Sequence, residues 1–433
     1  MPKHLHIMGI AGSGAGAFAK LAEVCGYEVS GCDLTFDRRE KALTFDRREK
    51  AETAKQTRAL EGHSPTHLKG VDVLVVSPAI SSYNPDNPEL KAAQRRGIEI
   101  ITWQEFLGKY LMAGQQVVGI CGTHGKSTIA AMIAFLLEGA GLDPTFLLGA
   151  EIKRGESFRV GKGDHLVVEA DEYNDNFLHY PVTTSVCVAL EFDHPEYFSD
   201  FDDYLDSFER FVRRGELLIC YEGDAGIKSL LERLEDWRGR IVRFRSVYQG
   251  RLSLPGAYNR INAQAAYLTA KVLGVPEAKV KELLRSFPGV ERRLELKKVV
   301  GGAKIYSDYG HHPTQLRVVL TTLRESHPNE RIVAVFQPHM FSRTKVLFED
   351  FVEVLQKKVV DQVILTDIFP SREKDPGDIN SQDLVEAVDR PYVRYLPQGE
   401  ILPCLEKLST EVVVFIGAGD IYQLIENYGQ DSS

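Results

Sequence analysis

The sequence predicts an α/β protein of three domains whose sheets are mostly parallel. Segments typical of strands alternate with segments typical of helices along the chain, and this alternation is characteristic of helices packed on parallel sheets. It forms three blocks, the second starting at Gln116 and the third near Val290. A chain of 433 residues is also too long for one ordinary core. We expect domains over residues 1–113, 114–289 and 290–433.

Composition narrows the class of protein. The net charge of −9 argues against nucleic acid as the main partner, and no apolar run is long enough to span a membrane. The six cysteines form no Cys-x-x-Cys pair, so neither a zinc ribbon nor a redox motif is indicated, and they fit a reducing cytosol. We expect a soluble, cytoplasmic protein that is a monomer or a homodimer.

The first block opens as a β-α-β unit. Strands are predicted at Leu5–Ile10 and Tyr27–Gly31, with a helix over Ala17–Cys25 between them. The turn Gly9-Ile-Ala-Gly-Ser-Gly14 approximates a dinucleotide fingerprint, and Asp33 stands where a carboxylate often binds a ribose hydroxyl. Two alternatives stay open: the glycines only allow tight packing, or the turn belongs to an NAD site.

A repeated segment follows the second strand. Leu34–Ala42 recurs without change as Leu43–Ala51. One copy spans about two and a half helical turns, so on a helix the two Leu-Thr-Phe segments would lie on opposite faces. We interpret the repeat as a recent duplication or an assembly artefact within a surface helix or loop.

The strongest local pattern opens the second block. A predicted strand, Val117–Cys121, runs into the loop Gly122-Thr-His-Gly-Lys-Ser127 and a predicted helix, Ser127–Gly139. Backbone N–H groups in such a loop bind polyphosphate, the lysine reaches the outer phosphates, and a hydroxyl after it binds Mg²⁺. The strict pattern requires glycine at position 120, where this chain has Ile120. The loop is therefore a variant phosphate-binding loop.

The remaining elements follow from the same alternation. Strands are predicted at Val71–Ser77, Glu99–Thr102, Leu166–Glu169, Ser185–Ala189, Ala303–Ser307, Arg331–Phe336, Gln362–Thr366 and Val412–Ile416. Helices are predicted at Glu89–Arg96, Phe201–Arg213, Ala263–Val272, Glu277–Ser286, Thr314–Ser326, Phe348–Lys357, Ser381–Val388 and Glu400–Leu408.

Polar residues follow several predicted strands, where ligands of parallel sheets bind. Glu169 ends a strand and is a candidate ligand for Mg²⁺, and Asp193 and His194 follow the next strand. In the third block we single out His311, His312 and Arg343. We expect the two histidines either to titrate near neutral pH in a site or to form a surface turn. We expect the arginine either to bind a carboxylate or to be exposed. The remaining nearby carboxylates are expected to be solvated charges: Asp171, Glu172, Glu191 and Glu196.

Taken in order, these motifs resemble the Mur ligase family over essentially the whole chain. The pieces that carry the resemblance are Gly122–Thr128, Glu169–Glu172, Asp193-His194, Pro255-Gly256 with Asn259 and Asn262, Arg292-Arg293, Asp308–Pro313 and Phe336–His339. Within the family, the Gly-Ser-Gly start and the Gln-Pro-His segment are most similar to the L-alanine-adding branch.

The resemblance implies a role for each domain. An N-terminal Rossmann-like domain would bind UDP-N-acetylmuramate, a central domain with the phosphate loop would bind ATP and Mg²⁺, and a C-terminal Rossmann-like domain would close over L-alanine. The sugar carboxylate would attack ATP to give an acyl phosphate, which the amine of L-alanine then attacks.

The same resemblance assigns individual residues. The catalytic residues would be Lys126, His194, Arg293 and Asp308. ATP would bind at Gly122, Thr123, Gly125, Lys126, Ser127, Thr128, Asn259, Asn262, Arg293 and Asp308. The metal would bind at Ser127, Glu169 and His194. The UDP-sugar would bind at Gly12, Ser13, Gly14, Asp33, Ser77, Ala79 and His124. The amino-acid side would have His312 and Arg343.

Three positions depart from the family pattern. Ala189 replaces the usual Asn, Tyr258 the usual His, and Met340 an Arg that would help to hold the amino acid. These changes leave two alternatives within reach of the same fold: a ligase that recycles murein tripeptide on the same UDP-sugar, and a degenerate P-loop ATPase or binding module. A nicotinamide oxidoreductase is a third class, but it would leave the phosphate loop unexplained.

Overall fold

The structure, a computed structural model, describes residues 3–34, 58–78, 80, 84–153, 155–371, 373–408 and 411–429. Apart from Leu34, the repeated segment lies outside these residues, and so does Ala79. Within the described residues the predicted fold class is confirmed, since three mostly parallel sheets follow one another along the chain and helices alternate with their strands.

The first sheet has five parallel strands in the order β3-β2-β1-β4-β5. Their bounds are β1 His4–Met8, β2 Glu28–Asp33, β3 Arg58–Glu61, β4 Val73–Val76 and β5 Glu99–Thr102. The strand order reverses between β1 and β4, and ligands of open parallel sheets bind outside the carboxyl ends of strands at such a reversal. The turn that begins at Gly9 and the residue Ser77 lie there.

The central sheet has the order β12-β11-β10-β6-β9-β7-β8 and is parallel except for the pair β7 and β8. Its bounds are β6 Gln116–Cys121, β7 Thr145–Ile152, β8 Glu156–Arg159, β9 His165–Glu169, β10 Thr184–Cys187, β11 Leu217–Tyr221 and β12 Arg240–Phe244. Because β9, β6 and β10 are neighbours, the segments that follow them meet at one edge of the sheet.

The third sheet has the order β13-β14-β18-β15-β16-β17, with only β13 antiparallel to its neighbour. Its bounds are β13 Glu295–Val300, β14 Ala303–Asp308, β15 Ile332–Phe336, β16 Gln362–Leu365, β17 Val393–Tyr395 and β18 Val412–Ile416. The apolar residues of its central strands alternate between two clusters, one on each face of the sheet.

The α-helices are numbered here in chain order. They are α1 Ser13–Val24, α2 Pro88–Arg96, α3 Trp103–Phe106, α4 Lys126–Gly139, α5 Phe201–Arg213, α6 Ala225–Arg233, α7 Ala257–Val272, α8 Glu277–Ser286, α9 Pro313–Ser326, α10 Phe341–Val346, α11 Phe348–Gln356, α12 Ser381–Val388, α13 Gln398–Glu406 and α14 Leu424–Asn427. No helix in the described part of the chain combines the length and apolar character needed to cross a membrane.

The first two units share a core. One apolar cluster contains Phe18 and Phe106 from the first unit together with Phe177 and Phe211 from the second. Truncating one such buried aromatic typically costs about 3–5 kcal/mol. This shared core holds the edge of the first sheet at a fixed position relative to the phosphate loop.

The predicted elements are all present, but the sequence misses several others. The strands β3, β7, β8, β11, β12, β13 and β17 have no predicted counterpart. Three of them, β8, β12 and β13, are partly exposed and rich in charged residues, so pairing rather than local preference forms them. The helix α7 begins at Ala257 rather than at the predicted Ala263. Its first turn lies against the pocket described below.

Candidate active site

The loop between β6 and α4 depends on two glycines in the left-handed region. Gly122 has a φ of +110° and Gly125 a φ of +84°. A Cβ at Gly122 would lie 2.7 Å from the Ala189 carbonyl oxygen, and a Cβ at Gly125 would lie 2.6 Å from Asn262 Oδ1. The Thr123 N–H donates to the same Ala189 carbonyl at 3.0 Å. The loop thus leads its backbone into the first turn of α4, an arrangement that binds anions.

Lys126, the first residue of α4, is held by a buried carboxylate. Its Nζ donates to the Gly122 carbonyl at 2.7 Å and to the two oxygens of Glu172 at 3.0 and 2.8 Å. Burial opposes the charge of the lysine, but Glu172 and Asp171 raise the pKa of Lys126 above its ordinary value. The prediction that Glu172 is a solvated charge is wrong, because the residue is fully buried and is the counterion of Lys126.

Ser127, Glu169 and Arg293 meet at the end of the loop. Ser127 Oγ donates to Glu169 Oε1 at 3.1 Å, and Arg293 Nη2 donates to Ser127 Oγ at 3.1 Å. The backbone N–H of Gly149 fixes the second oxygen of Glu169 at 2.9 Å. Thr128 is buried in the next position of the same helical turn. A hydroxyl beside a carboxylate is an oxygen donor set that suits Mg²⁺.

His194 lies close to several carboxylates. Its backbone has a φ of 58°, and its Nδ1 lies 3.0 Å from Glu196 Oε1. One ligand atom each from His194, Asp171 and Glu172 lies within 4.8 Å of the others. Burial opposes a charged imidazole, but Asp193 and Glu196 raise the pKa of His194 to about 9. Of the expected metal ligands, Ser127 and Glu169 touch each other, whereas His194 groups with Asp171 and Glu172.

A cleft that is partly open to solvent lies beside the loop. Apolar residues from two units line it: Leu254, Pro255, Val318 and Val319. Asn262 also lines it, and its buried Oδ1 has no hydrogen-bond partner among the described residues. Asn259 lines the same wall and donates to the Pro255 carbonyl at 2.8 Å. A concave site with a few polar groups on apolar walls is typical of small-molecule sites.

The third unit supplies a carboxylate and an arginine to this cleft. Asp308 is buried and accepts from the N–H groups of Leu294 and Gly310, each at 2.7 Å. Burial raises the pKa of Asp308, although Arg293 opposes the rise. Arg292 instead faces Tyr422, with its guanidinium carbon 4.1 Å from the ring centre. Arg293 therefore lines the cleft, whereas the side chain of Arg292 donates to the Gly417 carbonyl at 2.7 Å.

Two histidines from different units share one carboxylate at the mouth of the cleft. His124 Nε2 lies 3.1 Å and His312 Nδ1 3.5 Å from Glu191 Oε2, and Gln315 Nε2 lies 3.2 Å from His124 Nδ1. Burial, and to a lesser degree His124, lowers the pKa of His312 to about 4. Tyr258, at one of the departing positions, lines the cleft with its ring centre 6.5 Å from that of His124.

The expectation of a solvated charge is also wrong for Glu191, which pairs with two histidines. Glu196 is an exposed residue, as expected, and its carboxylate contacts His194. For Asp171 the expectation is confirmed, since the residue is exposed. No signal in the sequence separated Glu172 from its neighbour Asp171, because both stand after the same strand. The partners of Glu172, such as the Tyr204 hydroxyl that donates to its Oε1 at 3.1 Å, come from other elements.

Arg343 does not point at open solvent. Its Nε donates to Asp193 Oδ1 at 2.9 Å, and both side chains are nearly buried. Its Nη1 lies 3.2 Å from His339 Nδ1 and 3.6 Å from the sulfur of Met340. The guanidinium thus joins the third unit to the segment after β10. The backbone of Met340 has a φ of 70°, which is strained for a side chain of this size.

Five of the seven expected UDP-sugar residues lie at the edge of the first sheet. Gly12 precedes α1, Ser13 and Gly14 begin it, and Ser77 follows β4. Asp33 Oδ2 accepts from the Ala11 N–H at 3.1 Å, so this carboxylate fixes the glycine turn. His124, expected at the same ligand, lies instead at the mouth of the central cleft, on the side of Glu191.

Fold and site together define an α/β protein of three units. Its variant phosphate-binding loop faces a cleft, and the third unit forms one side of this cleft. Two family models match the chain: the catalytic domain of the Mur ligase family over residues 4–115 and the glutamate ligase domain of Mur ligases over residues 292–423. The phosphate loop lies between these two matched regions.

Full-length relatives agree with these models. The chain is 32% identical to a UDP-N-acetylmuramate–L-alanine ligase of Aquifex aeolicus, over 98% of this chain and 97% of the relative. It is 33% identical to the enzyme of the same name from Caldanaerobacter subterraneus, over 99% and 98%. The chain belongs to the Mur ligase family.

Solved structures share the fold. A UDP-N-acetylmuramate–alanine ligase of Thermotoga maritima superposes with a TM-score of 0.78 at 24% identity, covering 99% of each chain. A murein peptide ligase of Psychrobacter arcticus superposes with a TM-score of 0.72 at 20% identity, covering 100% of each chain. The fold of three units is therefore shared with both of these ligases.

Proposed function

We propose that this chain is an ATP-dependent ligase that joins L-alanine to UDP-N-acetylmuramate, forming ADP and phosphate, in the synthesis of peptidoglycan precursors. The observation that carries the proposal is the contact chain from Arg293 through Ser127 to Glu169. It sets a cation from the third unit, the phosphate loop and a carboxylate at one point. The full-length likeness to L-alanine ligases supports the choice of substrates.

The cleft suits an adenine nucleotide. Leu254, Pro255 and Val318 offer apolar walls to a base, and the buried Asn262 Oδ1 would accept a hydrogen bond from the adenine amino group. The loop N–H groups after Gly122 would bind the phosphates. Ser127 and Glu169 would hold Mg²⁺, which supplies positive charge to the phosphate oxygens when it is bound.

The residues of the chain meet the electrostatic demand of the first step. The carboxylate of the sugar attacks the γ-phosphorus of ATP, a P–O bond to ADP breaks, and an acyl phosphate forms. Two anions, the sugar carboxylate and the γ-phosphate, must approach each other. Lys126 and Arg293 lower the barrier because their positive charges stabilise the negative charge of these two groups. The amine of L-alanine then attacks the acyl carbon, and phosphate leaves with the bonding electrons.

The acyl phosphate must be kept from water. The third unit provides the cover, because its residues His312, Gln315 and Arg343 contact the central unit directly. Arg293 of the same unit donates to Ser127, so closure of this unit would also place Arg293 at the phosphate loop. Reaction and protection from hydrolysis would therefore be completed by the same movement.

The amine substrate is the part of the proposal with a rival. Met340 stands where the L-alanine branch has an arginine, and its sulfur lies against Arg343, so this cation for an amino-acid carboxylate is missing. A ligase that transfers a murein tripeptide to the same UDP-sugar is the alternative, since a murein peptide ligase shares the fold with a TM-score of 0.72, against 0.78 for the alanine ligase. We place either reaction in the cytoplasm, where ATP is available.

The deciding experiment is phosphate release from ATP with purified protein, Mg²⁺ and UDP-N-acetylmuramate. Each amine is offered separately: L-alanine, glycine, L-serine and the murein tripeptide. We expect phosphate release to be fastest with L-alanine and the product to gain the mass of one alanyl residue. Preference for the tripeptide would replace L-alanine as the substrate, and no release with any amine would overturn ligation.

A further inference from the structure

A compact group of metal-binding side chains lies in the first unit, outside the candidate active site. It is formed by His6 on β1, Cys32 on β2, His67 in the short helical turn after β3 and Glu89 on α2, with one ligand atom of each within 4.8 Å of the others. His6, Cys32 and Glu89 are fully buried, and the side chain of His67 is 12% exposed. Nothing in the proposed reaction uses these residues.

The separations are close to those of a metal site. His6 Nε2 lies 3.0 Å from Glu89 Oε1, Cys32 Sγ lies 3.4 Å from Glu89 Oε2, and His67 Nδ1 lies 3.4 Å from the same oxygen. Ligands about 2.0–2.3 Å from a tetrahedral ion stand about 3.2–3.8 Å apart. A separation at the upper limit of 4.8 Å would therefore have to close by about 1–1.6 Å.

Three polar atoms of this group make no well-formed hydrogen bond, whereas Glu89 Oε2 accepts from the Ser64 N–H at 3.0 Å. His6 Nε2, His67 Nδ1 and Glu89 Oε1 are buried and make no hydrogen bond among the described residues, despite the short distance between His6 and Glu89. The ion-pair partners of Glu89 among the described side chains are three histidines: His6, His63 and His67. A buried carboxylate without a fixed cation is costly, and a bound dication would satisfy all three orphaned atoms together.

We propose that His6, Cys32, His67 and Glu89 form a structural zinc site. Two imidazoles, one thiolate and one carboxylate are the donor set that zinc prefers, whereas Mg²⁺ and Ca²⁺ prefer oxygen alone. Binding releases the proton of the Cys32 thiol to solvent, and the negative charges of Cys32 and Glu89 then balance the dication.

The neighbours of the group suit a structural role. His6 Nδ1 is fixed by Ser30 Oγ at 2.8 Å, and His63 Nδ1 lies 3.2 Å from Cys32 Sγ. Such outer contacts orient metal ligands. Cys32 immediately precedes Asp33, which fixes the glycine turn through Ala11. The ion would therefore tie β1, β2, the segment after β3 and α2 together behind the UDP-sugar edge.

The test is a cobalt and zinc titration of the full-length protein after removal of metal with a chelator. Excess Mg²⁺ is present to saturate the phosphate-loop site. We expect one equivalent of Co²⁺ to give a tetrahedral visible spectrum with a thiolate charge-transfer band, and Zn²⁺ to displace it. Cys32→Ser should lose the charge-transfer band, and His67→Gln should weaken binding at least about tenfold.

The matched control is Cys25→Ser, which removes an exposed thiol from the same unit and should leave the titration unchanged. Zn²⁺ should raise the Tm of the metal-free wild type but not that of Cys32→Ser. If Cys32→Ser does not fold, the weaker binding by His67→Gln decides. No cobalt band in the wild type, or an unchanged band and affinity in the cluster variants, would overturn the site.

Discussion

Arg343 donates from its Nε to Asp193 Oδ1 at 2.9 Å, and the two side chains are only 3% and 8% exposed. The pair joins the third unit to the loop after β10 of the central unit. Burial favours neutral Asp193, but Arg343 holds the pKa of this carboxyl well below its usual range. Arg343, which was expected on the amino-acid side, thus also forms a buried ion pair between two units.

Replacing one partner of this buried ion pair is expected to lower the free energy of unfolding strongly. Arg343→Met leaves Asp193 as an uncompensated buried charge, and we expect a loss of about 3–5 kcal/mol in the free energy of unfolding. The double variant Arg343→Met with Asp193→Leu should recover most of it, because no buried charge remains. Urea unfolding of the wild type and both variants measures this coupling. The control is Lys345→Met, whose exposed ion pair with Asp378 should contribute no more than about 1 kcal/mol.

Lys126 is expected to be essential for phosphate release. Lys126→Ala removes the charge beside the loop, and we expect turnover to fall at least about 100-fold. The variant also leaves Glu172 buried without its partner, so Lys126→Ala with Glu172→Gln should be more stable than Lys126→Ala and equally inactive. Phosphate release and thermal unfolding separate the two effects. Lys109→Ala, which breaks an exposed pair with Glu99, serves as the control, and retained turnover in Lys126→Ala would contradict the site.

Asn262 is expected to act on nucleotide binding alone. Asn262→Ala removes one hydrogen bond to adenine, and we expect KM for ATP to rise about three- to tenfold with kcat little changed. Saturation kinetics in ATP at fixed amine measure this split. Gln264→Ala lies on the same helix α7 but not in the cleft, so its KM should stay at the wild-type value. A fall in kcat without a change in KM would place Asn262 elsewhere in the reaction.

Glu169 is expected to set the requirement for Mg²⁺. Glu169→Gln keeps the shape and loses the charge beside Ser127, so we expect the Mg²⁺ concentration for half-maximal turnover to rise about tenfold or more. A Mg²⁺ titration at saturating ATP measures it. Glu151→Gln changes an exposed carboxylate of β7 and is the control. An unchanged Mg²⁺ requirement in Glu169→Gln would remove this residue from the metal site.

His312 predicts a dependence of stability on pH. Burial lowers its pKa to about 4 in the folded protein, against about 6.5 in an unfolded chain. Between these values the unfolded state binds a proton that the folded state does not, so stability is complete above about pH 6.5 and falls as pH drops towards 4. The loss is up to about 3 kcal/mol.

The comparison of wild type with His312→Asn tests this expectation. Denaturant unfolding at several pH values should show a steeper fall below pH 6.5 in the wild type than in the variant, and the histidine resonance should stay in its neutral form to about pH 4. A resonance that titrates near 6.5 would mean that burial does not desolvate His312, and the predicted loss of stability below pH 6.5 would then be absent.

The sequence by itself determined the alternation of strands and helices and the phosphate loop. Apolar runs such as Val412–Ile416 and the helix Phe201–Arg213 were predicted with the bounds that the structure has, because each depends on local pattern. The loop that contains Gly122 and Gly125 was also predicted from the sequence. The structure gives the reason for both glycines, since a left-handed backbone and a close approach to Ala189 and Asn262 exclude other residues.

Only the tertiary structure decided which polar groups face one another. Glu172 was indistinguishable from Asp171 in the sequence, and Arg343 from an exposed arginine, because burial and partners come from other elements of the chain. The four ligands of the proposed zinc site lie on β1, β2, α2 and the turn after β3, with no spacing motif to reveal them. Local preference sets an element, whereas the long-range packing of sheets and helices sets the dielectric and the neighbours that give a side chain its chemistry.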